Sequence, residues 1–265
     1  MGTAHGGVGA MRPNVAVLSA PGTNRQHDLA FAFEQAGADV THVDVLDLPA
    51  RARDITDAQI IAVAGGFSYA DALGSARVFA SEVTRRAGDI LERRIAEGVP
   101  VIGVCNGFQM LVRAGILPGF GSPAATLAHN ENGRFECRWV TLSPTAGRCV
   151  WTRGLAGPVS CPVAHGEGRF VAEADVLARV EGEGLVALRY VNPDGSAADG
   201  AYPANPNGSL NDIAGVCDPS GLVLGLMPHP ENHVTARQGR SGSTLGCEGN
   251  AIGIFRNGVQ HVINS

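Results

Sequence analysis

Through the first half of the chain, short unbroken apolar runs alternate with longer stretches of mixed polarity. Residues 15–19, 60–64 (IIAVA) and 99–104 (VPVIGV) form the apolar runs, and 40–45 (VTHVDV) reads as a further strand. Runs this short, with little polar alternation, predict strands buried on both faces. Between them, residues 28–36 and 76–97 carry apolar positions at helical spacing and stop at Gly37 and Gly98, glycines placed as helix terminators. A further helix starts near Gly107, directly after the last run. Strands alternating with helices predict an α/β fold: a flavodoxin-like, open, mostly parallel sheet with helices on both faces.

The second half reads differently. Apolar segments at 137–142, 159–163, 185–191, 213–216 and 222–227 sit between Gly, Pro and Asn clusters, and predict extra strands, partly antiparallel. Residues 236–249 (ARQGRSGSTLGCEG) predict a flexible loop before a last helix, and residues 1–12 a disordered tail. No internal repeat or long linker divides the rest, so residues 13–265 are expected to form one domain.

Composition narrows the function classes. With 45% hydrophobic residues in 265, the chain can bury one substantial core. A net charge of −5 and the lack of any basic run argue against nucleic acid or an anionic membrane as partner. All 20 basic residues are arginine. No apolar run approaches a membrane span, and the expected location is the cytoplasm. The six cysteines (Cys105, Cys137, Cys149, Cys161, Cys217 and Cys247) contain no C-x-x-C pair, so neither a disulfide framework nor a metal site is expected.

Three local motifs carry chemistry. Gly103-Val104-Cys105-Asn106-Gly107 joins a buried strand to a helix. A nucleophile at such a sharp turn is held exposed, and the helix N-terminus behind it favours a thiolate and an oxyanion. Met227-Pro228-His229-Pro230-Glu231 offers a base and an orienting carboxylate two positions apart, which share one face of an extended segment. Gly65-Gly66-Phe67-Ser68-Tyr69 follows the strand IIAVA, and its glycines let backbone N–H groups face a cleft at the carboxyl ends of the strands. Singly, each motif has an ordinary structural reading: a core cysteine, a surface turn, a strand–helix connection.

Together the motifs resemble the class I, triad-type glutamine amidotransferases, and within them the glutaminase subunits of phosphoribosylformylglycinamidine synthase. The strings GGFSYAD (65–71), GVCNGFQML (103–111), LPG (117–119), RFECR (134–138), HGEGRF (165–170), GLVALRYV (184–191), YPANPNGSLNDIAGV (202–216) and LGLMPHPE (224–231) carry the resemblance, in the family's order. It implies that Cys105 is the nucleophile toward glutamine, His229 the general base and Glu231 its orienting carboxylate. It places oxyanion-hole amides at Gly66, Phe67 and Asn106, a glutamine contact at Gln109, and His165 near the cleft. It further implies no cofactor in this chain, and a separate synthetase subunit that holds ATP and Mg and converts formylglycinamide ribonucleotide to formylglycinamidine ribonucleotide, with a small accessory subunit as a third component. No P-loop lysine motif, and no lysine at all, stands in the chain itself.

The chain departs from the family pattern at Ala70, where glycine is usual, at Asn232, where arginine is common, and across residues 74–80 (GSARVFA). None of these is a triad position. The alternatives that remain at this point are an amidotransferase subunit feeding a different ATP-dependent synthetase, a partnerless hydrolase of the same fold, and a non-catalytic glutamine-sensing scaffold.

Overall fold

A computed structural model describes residues 12–121, 123–239 and 251–265. The expected tail therefore lies outside the described residues except for Arg12, whose guanidinium bonds Asp39 at 2.8 Å and the Ala38 carbonyl at 2.7 Å. Most of the loop expected at 236–249 also lies outside them. Its start, Ala236–Gln238, is a 3-10 turn closed by a capping box between Thr235 and Gln238.

The strands expected in the first half become β1 (Asn14–Ser19), β2 (Asp39–Asp44), β3 (Ile60–Val63) and β4 (Val101–Val104). Between them lie α1 (Gln26–Gln35), the short α2 (Ala52–Thr56) and α3 (Arg77–Ala96), and α4 (Asn106–Arg113) follows β4. The remainder adds β5 (Ala125–Ala128), β6 (Glu136–Pro144), β7 (Val159–His165), β8 (Arg169–Ala172), α5 (Ala174–Gly182), β9 (Val186–Val191), β10 (Ile213–Cys217), β11 (Val223–Leu226) and α6 (Ile252–Ile263).

Nine strands form one sheet in the order β2-β1-β3-β4-β11-β10-β9-β6-β7, and β5 pairs with β8 separately. The sheet is parallel from β2 to β11, and antiparallel from β11 through β10, β9 and β6 to β7. β3, β4, β10 and β11 have no exposed residue, as strands covered on both faces require. Helix α1 packs on α6 and α3 on α4, and Phe33 of α1 meets Trp151 and Phe255 edge-on inside that layer. Cys149, Cys161 and Cys217 are small buried hydrophobes, whereas Cys137 on β6 is exposed.

Two topological facts position the site. First, β11 lies directly beside β4 in parallel, with Leu226 opposite Val104, so the chain leaves both strands at the same sheet end. Second, β7 is the last strand of the sheet, and the segment after β11 covers its open edge. The His229 N–H donates to the Pro162 carbonyl at 2.8 Å, and His233 Nδ1 to the Ser160 carbonyl at 2.6 Å.

Candidate active site

Cys105 follows β4 with φ 51° and ψ −107°, a backbone that a residue with a Cβ adopts only under strain. The turn is possible because its flanks lack side chains. A Cβ on Gly107 would stand 2.1 Å from the Val63 carbonyl oxygen, and one on Gly103 would stand 2.7 Å from the Gly107 oxygen. The Cys105 N–H is tied to the Leu226 carbonyl at 2.8 Å, so the nucleophile turn is bonded to the strand that delivers the histidine.

His229 and Glu231 are fully buried, and Nδ1 of the ring stands 2.6 Å from Glu231 Oε1. The backbone route differs from the extended segment expected. Pro230–His233 forms a 3-10 turn, so the pair meets because the chain bends after His229. Nδ1–H donates to the carboxylate, and the other ring nitrogen is left for the hydrogen bond that the ring makes with the Cys105 side chain. Burial alone would lower the His229 pKa. The Glu231 charge and then Cys105 outweigh it, and the imidazole is pushed up to about 10. The arrangement favours an imidazolium beside the Cys105 sulfur. The Cys105 sulfur also lies 3.9 Å from the Ala164 carbonyl. Gly65 gives the pair room, since a Cβ there would be 3.0 Å from His229 Cε1 and 3.4 Å from Cys105 Cβ.

The turn after β3 lies against the loop after β1. Phe67 donates its N–H to the Gly22 carbonyl at 3.2 Å, and Tyr69 donates to the Pro21 carbonyl at 2.6 Å. The Phe67 amide is thus engaged with Gly22. Gly66 has φ 139°, and a Cβ on it would meet the Asn24 nitrogen at 2.6 Å. The Asn106 N–H belongs to the first turn of α4, where helix geometry leaves donors unpaired.

A chain of side-chain amides crosses the cleft. The Ser68 N–H donates to Asn106 Oδ1 (3.4 Å), Asn106 Nδ2 to Gln109 Oε1 (3.0 Å), and Gln109 Nε2 to the Glu167 carbonyl (2.5 Å). Protein groups occupy both ends of the Gln109 amide.

His165 is held likewise. Nδ1 pairs with Asn130 Oδ1 at 3.1 Å, Nε2 faces Asn207 Nδ2 at 3.5 Å, and the ring lies so close over Gly168 that a Cβ there would be 2.4 Å away. Burial first, and the His229 charge second, lower its pKa to about 3, so the ring is neutral. It joins the 165–170 string to the 202–216 string, because Asn207 also donates to the Gly168 carbonyl at 2.9 Å and to the Tyr190 hydroxyl at 3.3 Å. Both ring nitrogens are therefore committed to the fold.

Residues 12–262 match the family model of the CobB/CobQ-like glutamine amidotransferase domain. The chain is 43% identical over 270 residues to the phosphoribosylformylglycinamidine synthase subunit PurQ of Treponema denticola, covering 96% of this chain and 100% of that one. The chain belongs to this family of glutamine amidotransferases. It is also 40% identical to the PurQ subunit of Dehalococcoides mccartyi over 92% of its own length and 95% of the relative's. A chain in the structure of PurLQS from Thermotoga maritima superposes with a TM-score of 0.73 at 30% identity, covering 95% of this chain and 99% of that one.

Within this amidotransferase, sequence reasoning missed several residues around the triad: Asn130, Tyr190 and Asn207 beneath it, and Asp71, Arg113 and Glu167 beside α4. Four of these lie inside the quoted strings, Asp71 in 65–71, Glu167 in 165–170, Tyr190 in 184–191 and Asn207 in 202–216, so the signal was present without a role attached. The departure at Ala70 falls within a run of three left-handed residues, Tyr69 (φ 53°), Ala70 (φ 55°) and Asp71 (φ 52°). Glycine would occupy that backbone without strain. A concavity of about 660 Å³, lined by Arg77, Arg85 and Arg113 among others, does not include Cys105.

Proposed function

We propose that this chain hydrolyses glutamine to glutamate and ammonia and delivers the ammonia to a separate synthetase subunit. That partner converts formylglycinamide ribonucleotide to formylglycinamidine ribonucleotide with ATP. The observation that carries the reading is the side-by-side exit of β4 and β11, which brings Cys105, His229 and Glu231 into one hydrogen-bonded line. The PurQ relatives, matched over nearly their whole length, support the acceptor.

In the first half-reaction the Cys105 thiolate attacks the side-chain amide carbon of glutamine. The resulting oxyanion is received by backbone amides at Gly66, Phe67 and Asn106. The His229 imidazolium gives its proton to the departing nitrogen, ammonia leaves, and a glutamyl thioester remains. In the second half-reaction His229 takes a proton from water, the hydroxide attacks the thioester, and glutamate is released as the thiolate reforms. Glu231 keeps the ring in one tautomer and stabilises its cation throughout.

This chemistry asks for no metal or cofactor in this chain; ATP and Mg belong to the synthetase. The similarity to a chain of PurLQS supports a complex with a synthetase subunit, and a small accessory subunit as third component. We place the protein in the cytoplasm; among the described residues no helix is long and apolar enough to cross a membrane.

The test is glutamate release by the purified chain with a cognate synthetase, ATP and formylglycinamide ribonucleotide, with Cys105→Ala in parallel. Release that the variant loses, matched by formylglycinamidine ribonucleotide, is the expected result. Glutamate without the purine product would refute the acceptor, and equal inertness of both proteins would refute the triad.

A further inference from the structure

Residues 74–80, where the chain strays from the family pattern, lead into helix α3 and place Arg77 at its start. Arg77, Ser81, Thr84 and Arg85 recur at spacings of three and four, so they share one face of that helix. This face borders the concavity of about 660 Å³, together with the end of α4 at Arg113 and β5 at Thr126. Sites for small organic molecules usually measure roughly 300–1,000 Å³. The cavity stands apart from the nucleophile, because Arg113 lies at the far end of α4 from Asn106, roughly 10 Å along the axis.

Charge distinguishes this cavity. The chain as a whole carries −5, yet three arginines and no carboxylate stand among the residues that line it. Counter-charge around those arginines is incomplete. Arg85 bonds Glu82 Oε2 at 2.8 Å, but Arg86 takes the same oxygen at 2.5 Å. Arg113 gives Nε to the Ser75 carbonyl at 2.6 Å, and the Glu167 carboxylate stands 3.7 Å from one of its terminal nitrogens. Arg77 has no side-chain hydrogen bond or ion pair among the described residues. Four guanidiniums thus share two carboxylates.

Arginine forks match pairs of oxygens on a phosphate, and three of them around one space suit a polyanion. Arg77 and Arg85 start roughly 12 Å apart along α3, a span that fits linked phosphates better than one small oxyanion. The hydroxyls of Ser81, Thr84 and Thr126 add neutral donors, and Ala80 and Val112 give an organic group an apolar surface to lie on.

We propose that this cavity is a second ligand site, which binds the phosphate chain of an organic di- or triphosphate through Arg77, Arg85 and Arg113. Binding here asks nothing of the triad.

The experiment is calorimetric titration of the full chain with ADP, with inorganic pyrophosphate and with adenosine. ADP and pyrophosphate are expected to bind and adenosine to give no heat. Arg77→Gln and Arg85→Gln should each weaken both anions about 10- to 100-fold, the effect of losing one charge-assisted contact. Arg77→Lys keeps the charge without the fork, and should recover only part of that loss. Arg53→Gln, at an exposed arginine on α2 outside the cavity, should bind as wild type. Because Arg77 is free of side-chain partners, Arg77→Gln without ligand should melt with the wild type, which separates lost binding from lost folding. Wild-type affinity for both anions weaker than about 1 mM overturns the inference. So does an equal loss in Arg53→Gln, the mark of diffuse attraction, or adenosine binding as tightly as ADP. If ADP does not bind but Arg77→Gln loosens the complex with a synthetase, the arginines serve protein docking and the inference falls. A chain that binds ADP but releases no glutamate leaves the inference standing while the glutaminase reading falls.

Discussion

The Phe67 N–H points at the Gly22 carbonyl, 3.2 Å away, and is thereby engaged with a neighbouring loop. An oxyanion hole that uses this amide requires the Gly66–Phe67 peptide to turn, and Gly66 at φ 139° is the residue that permits it. We expect slow glutamate release from the free chain and an increase of about 100-fold when a synthetase engages, the usual worth of one oxyanion donor. Equal rates with and without the partner would exclude this form of control.

Ala70 holds a left-handed backbone at φ 55°, which costs a residue with a Cβ about 1–2 kcal/mol. Ala70→Gly removes that cost and adds back part of it as unfolded-state entropy. The expected net gain is up to about 1 kcal/mol, seen as a higher denaturant midpoint at unchanged slope. A lower midpoint would show that the left-handed run is not strained.

Two histidines shape stability against pH in opposite directions. The pKa of His229 is about 10 in the fold, above the ordinary 6.5, so its contribution is complete below pH 6.5 and is lost as pH rises through 10. His165 is held neutral with a pKa of about 3, so the unfolded chain binds the extra proton and stability falls as pH drops from 6.5 toward 3. Chemical denaturation across pH should give a maximum between the two limbs. His229→Gln should flatten the alkaline limb and, by removing a charge that disfavours the His165 cation, make the acid one shallower. An unchanged alkaline limb in that variant would contradict the Glu231 pairing.

Gly65 and Gly107 separate activity from folding. A methyl on Gly107 meets backbone at 2.1 Å, so Gly107→Ala should cost several kcal/mol or abolish folding. At Gly65 the first obstacle is the edge of the His229 ring at 3.0 Å. Gly65→Ala should therefore fold with a near-native melting temperature and lose at least about 10-fold in glutaminase rate. A melt shifted as far as that of Gly107→Ala would refute the distinction.

Much of this was legible from residue pattern. The buried strands of the first half are unbroken apolar runs, and the nucleophile turn is marked by glycines whose steric reason the packing supplies. Helix α5 was not read, because only Val180 among its nine residues is buried and its pattern is nearly featureless. The small sheet of β5 and β8 was missed for the same reason: four-residue strands leave too little alternation to count. The roles of Gln109 and His165 needed coordinates. Sequence spacing can place an amide or an imidazole beside a cleft, but only distances show that its hydrogen bonds are already taken.

The placement of β11 has a consequence for how the protein comes into being. The nucleophile is synthesised before the midpoint of the chain, but the strand that leads to its base is the last among the described residues and must insert between β4 and β10. A nascent or truncated chain that ends before β11 holds a cysteine with no base beside it. Glutamine is thus safe from wasteful cleavage by unfinished molecules, and a premature stop anywhere upstream yields an inert fragment instead of a leaky hydrolase.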